Sequence, residues 1–179
     1  MYDGNYKAEV RSGGKALLIE SVDFFRLDAN RKLDPERRSA LGQFMTPPAT
    51  ARLMASMFEA KHESIRLLDA GAGVGSLTAA FIEEMCGRSV KPRHIGVTAY
   101  EIDGGLTAYL ADTLRQCQRA CEGARIEFES DLIEGDFIDD GVRALRQEAY
   151  KLARHSPPPI SLNEACREAR FHDRSSARA

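Results

Sequence analysis

Hydrophobic and polar positions alternate in blocks along the middle of the chain, and their spacing predicts strands and helices in turn. Three short apolar runs of β type are residues 65–69, 97–103 and 125–130. Three segments with helical spacing follow them, at residues 76–85, 104–121 and 141–155. Strands that alternate with helices imply a parallel sheet covered on both faces. We therefore expect an α/β fold with a doubly wound parallel sheet that is truncated after about its third strand.

The two ends of the chain differ in character from its middle. An apolar stretch at residues 16–25 runs into a charge-dense segment whose amphipathic spacing suits a helix and loop at the surface. Thr46 can cap a helix over residues 49–60, because the two prolines that follow it are tolerated at early helical positions. The C-terminal end has three consecutive prolines and many arginines. The sequence thus predicts three parts: a lead-in helix and loop over 1–40, a core over 41–154, and a basic, disordered tail over 155–179.

The composition is that of a globular protein on the polar side, with 43% apolar and 29% charged residues. No apolar run approaches the roughly 18 residues that span a bilayer, and the N-terminus lacks the pattern of a signal peptide. We therefore expect a cytoplasmic protein with no membrane partner. The net charge of -2 hides an acidic excess before residue 140 and a basic excess after it. The basic end can contact phosphate or can be an unstructured terminus, and the sequence leaves both open.

The four cysteines do not indicate a disulfide framework in a chain of this length. Cys117 and Cys121 lie four residues apart, on one face of the predicted helix, but no CxxC pair or clustered histidine completes a metal site. We interpret the cysteines as reduced core thiols and expect no metal.

A glycine-rich turn lies between the first predicted strand and its helix. Residues 69–75 read Asp-Ala-Gly-Ala-Gly-Val-Gly, which is GxGxG rather than the dinucleotide pattern GxGxxG. Glycines at these positions let the backbone turn sharply and approach a ligand without side-chain clash. Asp69 would repel a pyrophosphate but suits a ligand that bears an ammonium group. A tight turn with no ligand is the alternative for this loop taken alone.

Two more carboxylates follow the next two strands. Glu101 ends the second strand, where it can accept hydrogen bonds from two ribose hydroxyls at the carboxyl edge of the sheet. Asp136 follows the third strand and precedes Phe137, and such a pair can hold an adenine. Each acid alone would more often be solvated. Together with Asp69 they indicate a site for a nucleoside with a positively charged tail.

At this point the sequence resembles the class I S-adenosylmethionine-dependent methyltransferases, and within them the adenine-N6 DNA methyltransferases of restriction–modification systems. The phrases LGQFMTPPATARLM and LLDAGAGVGSLTAAF carry the resemblance, which covers roughly residues 35–140. It implies a Rossmann-like sheet, S-adenosyl-L-methionine as cofactor and DNA as partner. By resemblance, the GQF-x-TP segment and Asp69 with its loop hold the methionine end, Glu101 holds the ribose, and Asp136 with Phe137 holds the adenine. The cofactor-binding residues that it implies are Phe44, Thr46, Pro47, Asp69, Gly71, Ala72, Gly73, Gly75, Glu101, Ile102, Asp136 and Phe137.

The chain departs from that family in one motif. These enzymes carry Asn/Asp-Pro-Pro-Tyr/Phe, whose polar groups accept hydrogen bonds from the target amino group while the ring stacks on the extruded base. No such tetrapeptide occurs here: Asn163 is followed by Glu and Ala, and Pro157–Pro159 lack the flanking residues. The resemblance therefore assigns no catalytic residue to this chain, and we interpret it as the N-terminal, cofactor-binding part of such an enzyme. Truncation, a frameshift, or a partner chain that supplies the other half are all open. A methyltransferase acting on protein or a small molecule, and a non-catalytic remnant that binds S-adenosylmethionine, are the alternative functions.

Overall fold

The computed structural model describes residues 18–34, 36, 42–59 and 62–155. Two compact units divide the chain, one up to Phe137 and one from Ile138 onward. The predictions for residues 1–17 and for the basic tail after His155 lie outside the described residues, so the proposed division at residues 40 and 154 stays a prediction.

The first unit contains four helices and a three-stranded sheet among its described residues. Its elements are α1 (Leu18–Lys32), α2 (Pro48–Ser56), β1 (Ser64–Asp69), α3 (Ser76–Gly87), β2 (His94–Glu101), α4 (Gly104–Ala124) and β3 (Glu127–Glu134). A further helix, α5 (Phe137–His155), begins at the last residue of this unit. The strands run parallel in the order β1-β2-β3. The predicted α/β fold with a parallel sheet of three strands is confirmed.

Two strand boundaries differ from the predicted ones. β2 ends at Glu101 rather than residue 103, because Asp103 leaves the strand to cap α4, where its side chain accepts a hydrogen bond from the Gly105 N–H. β3 continues to Glu134 rather than ending at residue 130. The parallel register then places Glu134 beside Glu101, so the second and third strands end at the same edge of the sheet.

The hydrophobic core lies between one face of the sheet and the helices of the first unit. Ile95, Val97 and Ala99 alternate along β2 and are buried, as the period of two in a strand requires. Ile82 and Leu110, from α3 and α4, are fully buried in the same cluster. This packing fixes the two helices that begin beside the carboxyl ends of β1 and β2.

The cysteines of α3 and α4 belong to this core, as predicted. Cys117 and Cys121 are buried and Cys86 is half-buried, all three as free thiols. Burial raises the pKa of the Cys117 thiol, and contact with the Cys86 thiol, together with burial, raises that of Cys121. Cys166 lies outside the described residues.

The helix α1 packs into the core through its first turns. Ile19 and Val22 have no exposed surface, and Glu83 of α3 accepts a hydrogen bond from the Ile19 N–H at 3.0 Å. Both residues belong to the apolar stretch at residues 16–25, which precedes the charge-dense segment. The surface helix and loop predicted for that segment stay a prediction.

One edge of the sheet is formed by β1. Within the described residues, β1 pairs only with β2, and Leu68 is half exposed. No helix in the described ranges is long and apolar enough to cross a membrane.

Candidate functional site

A cavity of about 410 Å³ opens at the carboxyl ends of the three strands. Its walls come from four segments that are distant in sequence and meet because parallel strands all end at one edge. These segments are the 42–46 segment (Gly42, Gln43, Phe44, Met45, Thr46), residues after β1 (Ala70, Gly71, Ala72, Gly73, Val74, Ser76, Leu77), residues after β2 (Glu101, Ile102, Leu106) and residues after β3 (Gly135, Asp136, Phe137).

Most of the site residues predicted from the sequence line this one cavity. Those that do are Phe44, Thr46, Gly71, Ala72, Gly73, Glu101, Ile102, Asp136 and Phe137. Three others, Pro47, Asp69 and Gly75, do not line it. The acids after the second and third strands therefore face a common space, whereas the acid at the end of the first strand does not.

The glycine loop, residues 70–75, is held against β2 by its backbone. The Ala72 N–H donates to the Tyr100 carbonyl at 2.8 Å, and the Gly75 N–H donates to the Ala72 carbonyl at 2.7 Å. Gly73 and Gly75 adopt φ angles of 58° and 84°, in the left-handed region that favours glycine. Gly75 is also the N-cap of α3. The loop thus turns the chain from strand to helix while its backbone faces the cavity.

Glu101 holds this loop and the start of the next helix at once. Its side chain is almost fully buried, and its two carboxylate oxygens accept hydrogen bonds from the Gly73 N–H at 2.7 Å and the Asp103 N–H at 2.8 Å. An ionised carboxylate has about four lone-pair positions. Two therefore remain for hydroxyl donors of a ligand in the cavity.

Asp69 lies behind the glycine loop rather than in the cavity wall. It shares the inward face of β1 with Ile65 and Leu67, and its carboxylate accepts a hydrogen bond from the Thr78 hydroxyl at 2.7 Å. The N–H groups of Thr78 and Gly71 also donate to it. This geometry ties the end of β1 to the first turn of α3, which makes Asp69 a support of the loop.

The environment of Asp69 predicts a pH dependence of stability. Burial raises the pKa of Asp69 above its ordinary value, and its hydrogen bonds to Thr78 and Gly71 offset this only in part. The folded chain then holds this proton more tightly than the unfolded chain. The stability contributed by Asp69 is therefore complete below its ordinary pKa and falls as pH rises through the raised one.

We expect Asp69→Asn, which does not titrate, to destabilise the chain more at about pH 4 than at about pH 7. Urea unfolding of both proteins across this range gives the difference in unfolding free energy, and Asp131→Asn, an exposed carboxyl on β3, is the matched control. A difference that grows as pH rises would contradict the assigned environment.

Asp136 and Phe137 form the wall after β3. The Phe137 ring packs edge-on against the Tyr100 ring, with centroids 5.4 Å apart and planes at 71°. The Gly135 N–H donates to the Glu101 carbonyl at 3.0 Å, which continues the pairing of the two strands to this point. These contacts hold the Phe137 ring and the backbone before Asp136 in the cavity wall.

The 42–46 segment is joined to the site through a residue that the sequence did not single out. The Gln43 side-chain amide donates to an Asp103 carboxylate oxygen at 3.0 Å. Phe44 is exposed over most of its side chain, whereas Met45 packs against the core. The contact joins residues 60 positions apart, so no local pattern could have revealed it.

Across the described ranges, no group of three or more His, Cys, Asp or Glu side chains is placed to hold a metal ion. The cavity wall includes the carboxylates of Glu101 and Asp136 and the ring of Phe137. Carboxylate acceptors beside an aromatic ring suit an organic ligand with hydroxyl and amino groups.

Two curated proteins are similar to the chain over most of its length. It is 38% identical over 151 residues to the type II methyltransferase M.PstI of Providencia stuartii, which covers 82% of this chain and 29% of that protein. It is 37% identical over 138 residues to the type II methyltransferase M.BsuBI of Bacillus subtilis, which covers 76% of this chain and 26% of that protein. The chain thus spans less than a third of the length of either relative. No protein-family model matches it.

Proposed function

This chain is related by sequence to the type II methyltransferases of restriction–modification systems, and on that premise we propose that it is the S-adenosylmethionine-binding part of a DNA adenine-N6 methyltransferase. The observation that carries the proposal is the shared cavity. The glycine loop, Glu101 and the pair Asp136 and Phe137 line it together, as one extended nucleoside ligand requires.

The residues of the cavity fit such a cofactor in size and chemistry. Its volume of about 410 Å³ lies within the range of about 300 to 1,000 Å³ typical of small-molecule sites. Glu101 accepts hydrogen bonds from ribose hydroxyls through its remaining lone pairs. Asp136 accepts from the adenine amino group, and Phe137 packs against the base.

The methionine end of the cofactor lies between the glycine loop and the 42–46 segment. Residues Gly71 to Gly73 of the loop form one side of this part of the cavity, and Phe44 and Thr46 form the other side. Asp69 acts through the loop, because it does not line the cavity. When bound, the cofactor supplies a methyl group from its sulfonium, and the thioether that remains is a good leaving group. Orientation of the acceptor therefore contributes most of the rate.

Groups that bind the target base have no counterpart in these 179 residues. The sequence has no Asn/Asp-Pro-Pro-Tyr/Phe tetrapeptide, so nothing in it matches the motif that accepts the N6 hydrogens and stacks on an extruded adenine. We propose that these groups belong to a further segment or partner chain, which also contacts DNA.

A methyltransferase for protein or small molecules is the second candidate. A large distance between the GQFMTPP segment and the glycine loop would favour it, whereas residues 42–46 and 70–74 line the same cavity. That proximity supports the DNA methyltransferase proposal. The third candidate is a non-catalytic remnant that binds S-adenosylmethionine weakly or not at all, and direct binding measurements test it.

The expected result is that the purified chain binds S-adenosylmethionine and its product S-adenosylhomocysteine but does not methylate DNA. Calorimetry measures the binding, and transfer of labelled methyl groups to adenine-containing duplexes measures the activity, with M.PstI as the positive control. No binding of either ligand would contradict the proposed cofactor site. Transfer to adenine N6 well above background would show that the chain contains its own base-binding groups.

A further inference from the structure

The contact between Gln43 and Asp103 links the 42–46 segment to the turn between β2 and α4. Asp103 is buried and stands between β2 and α4. One of its carboxylate oxygens accepts the Gly105 N–H at 2.9 Å and the other accepts the Gln43 side-chain amide at 3.0 Å. The same carboxylate thus caps α4 and holds the 42–46 segment.

The orientation of the Gln43 amide is determined by this partner. A carboxylate only accepts hydrogen bonds, so the amide nitrogen must face Asp103 and the amide oxygen must face the other way. That oxygen is buried and has no hydrogen-bond partner among the described residues. Among the described residues, the hydrogen bond to Asp103 is therefore the contact that fixes this orientation of the amide.

The network continues from Asp103 to the glycine loop. The Asp103 N–H donates to Glu101, whose other oxygen accepts the Gly73 N–H. Gln43, Asp103, Glu101 and Gly73 therefore form one chain of hydrogen bonds that runs from the 42–46 segment to the loop. Each of these hydrogen bonds is accepted by a carboxylate, and such charge-assisted bonds are the stronger class.

We propose that Gln43 and Asp103 form a latch that holds the 42–46 segment against the cavity, and that Gln43 is a positioning residue for the part of the ligand beneath this segment. The inference rests on the proposed function, in which that part is the methionine end of S-adenosylmethionine. Glu101 and Asp136 hold the nucleoside without help from the latch.

Two variants break the latch in different ways. Gln43→Met keeps the length of the side chain but removes the donor. Asp103→Ser keeps a good N-cap for α4 but is too short to reach Gln43. Asp103→Asn is the matched control, because its oxygen can still cap α4 and its amide can donate to a rotated Gln43.

The ligand measurement compares S-adenosylhomocysteine with adenosine by calorimetry. We expect each latch-breaking variant to weaken binding of S-adenosylhomocysteine about tenfold, the size expected for one hydrogen bond to a charged group, and to leave the affinity for adenosine unchanged. The double variant should lose no more than either single variant, since both remove one interaction. Asp103→Asn should stay within about threefold of the parent. Equal losses for both ligands, or additive losses, would overturn the latch in favour of general destabilisation.

A second measurement follows the segment without any cofactor. The chain contains no tryptophan, so Met45→Trp introduces a single tryptophan at the position of the 42–46 segment that packs against the core. In this background Gln43→Met and Asp103→Ser should increase acrylamide quenching of the tryptophan, and Asp103→Asn should not. Unchanged quenching in all variants would overturn the latch. If quenching responds as expected but no variant or parent binds S-adenosylhomocysteine, the latch stands and the proposed function fails.

Discussion

Replacing Gly75 with alanine is expected to lower the free energy of unfolding by about 2 to 5 kcal/mol. Gly75 has a φ angle of 84°, and an L-residue in the left-handed region costs roughly 1 to 2 kcal/mol. An added Cβ would also lie 2.8 Å from the Thr113 methyl and 3.0 Å from a Leu110 methyl on α4. Both side chains are fully buried, so neither can move without repacking the core, which costs about 1 to 3 kcal/mol more.

The glycine loop contains its own controls for this measurement. Gly71 has no atom within 4 Å of an added Cβ and no positive φ, whereas Gly73 has the same open space but a φ of 58°. Denaturant unfolding should therefore rank the alanine variants as Gly71 least affected, Gly73 intermediate and Gly75 most affected. If Gly75→Ala were as stable as Gly71→Ala, the close packing of the loop on α4 would be incorrect.

The glycine loop and the acids after β2 and β3 could be predicted from sequence because each depends on local order along the chain. A strand, a glycine turn and a helix follow one another, and the topology of a parallel sheet brings successive strand ends to one edge. The positions of Glu101 and Asp136 follow from that rule. Their convergence on one cavity therefore required only the correct assignment of strands.

The direction of Asp69 was not predicted, and parity along the strand could not have revealed it. Side chains two residues apart in a strand share a face, so Asp69 lies on the inward face of β1 with Ile65 and Leu67, but Glu101 has the same parity on β2 and does line the cavity. The difference comes from the contact of Asp69 with Thr78 in the first turn of α3, which the folded arrangement shows.

Long-range contacts account for what the sequence could not show. The hydrogen bond between Gln43 and Asp103 spans 60 positions, and the packing of α1 against α3 depends on helices that are not neighbours in sequence. The resemblance marks the GQF-x-TP segment as a whole. Only the folded arrangement shows that Gln43 within it contacts Asp103.

Replacing Glu101 with alanine is expected to weaken binding of S-adenosylhomocysteine by at least about 100-fold. Two effects combine. The first is loss of the acceptor for the ribose hydroxyls, which costs about 1.5 to 3 kcal/mol for hydrogen bonds to a charged group. The second is release of the Gly73 and Asp103 N–H groups, which costs about 1 to 3 kcal/mol for each buried donor left without a partner. The second effect follows from the bonds at 2.7 and 2.8 Å. It also predicts a fall in unfolding free energy of about 2 to 6 kcal/mol.

Glu127→Ala is the matched control, because this exposed carboxylate begins β3 at the opposite end of the strands. It should change neither affinity nor stability.

The two roles of Glu101 are separated by also titrating the 2′,3′-dideoxy analogue of S-adenosylhomocysteine. If Glu101 contacts the hydroxyls, their removal costs affinity in the parent chain but not in Glu101→Ala, whereas a residue that only supports the loop would give the same cost in both. If removal of the hydroxyls costs the same affinity in both proteins, the network from Gly73 to Gln43 remains intact but another group must accept from the ribose. If Glu101→Ala binds S-adenosylhomocysteine as tightly as the parent chain, this cavity is excluded as the cofactor site.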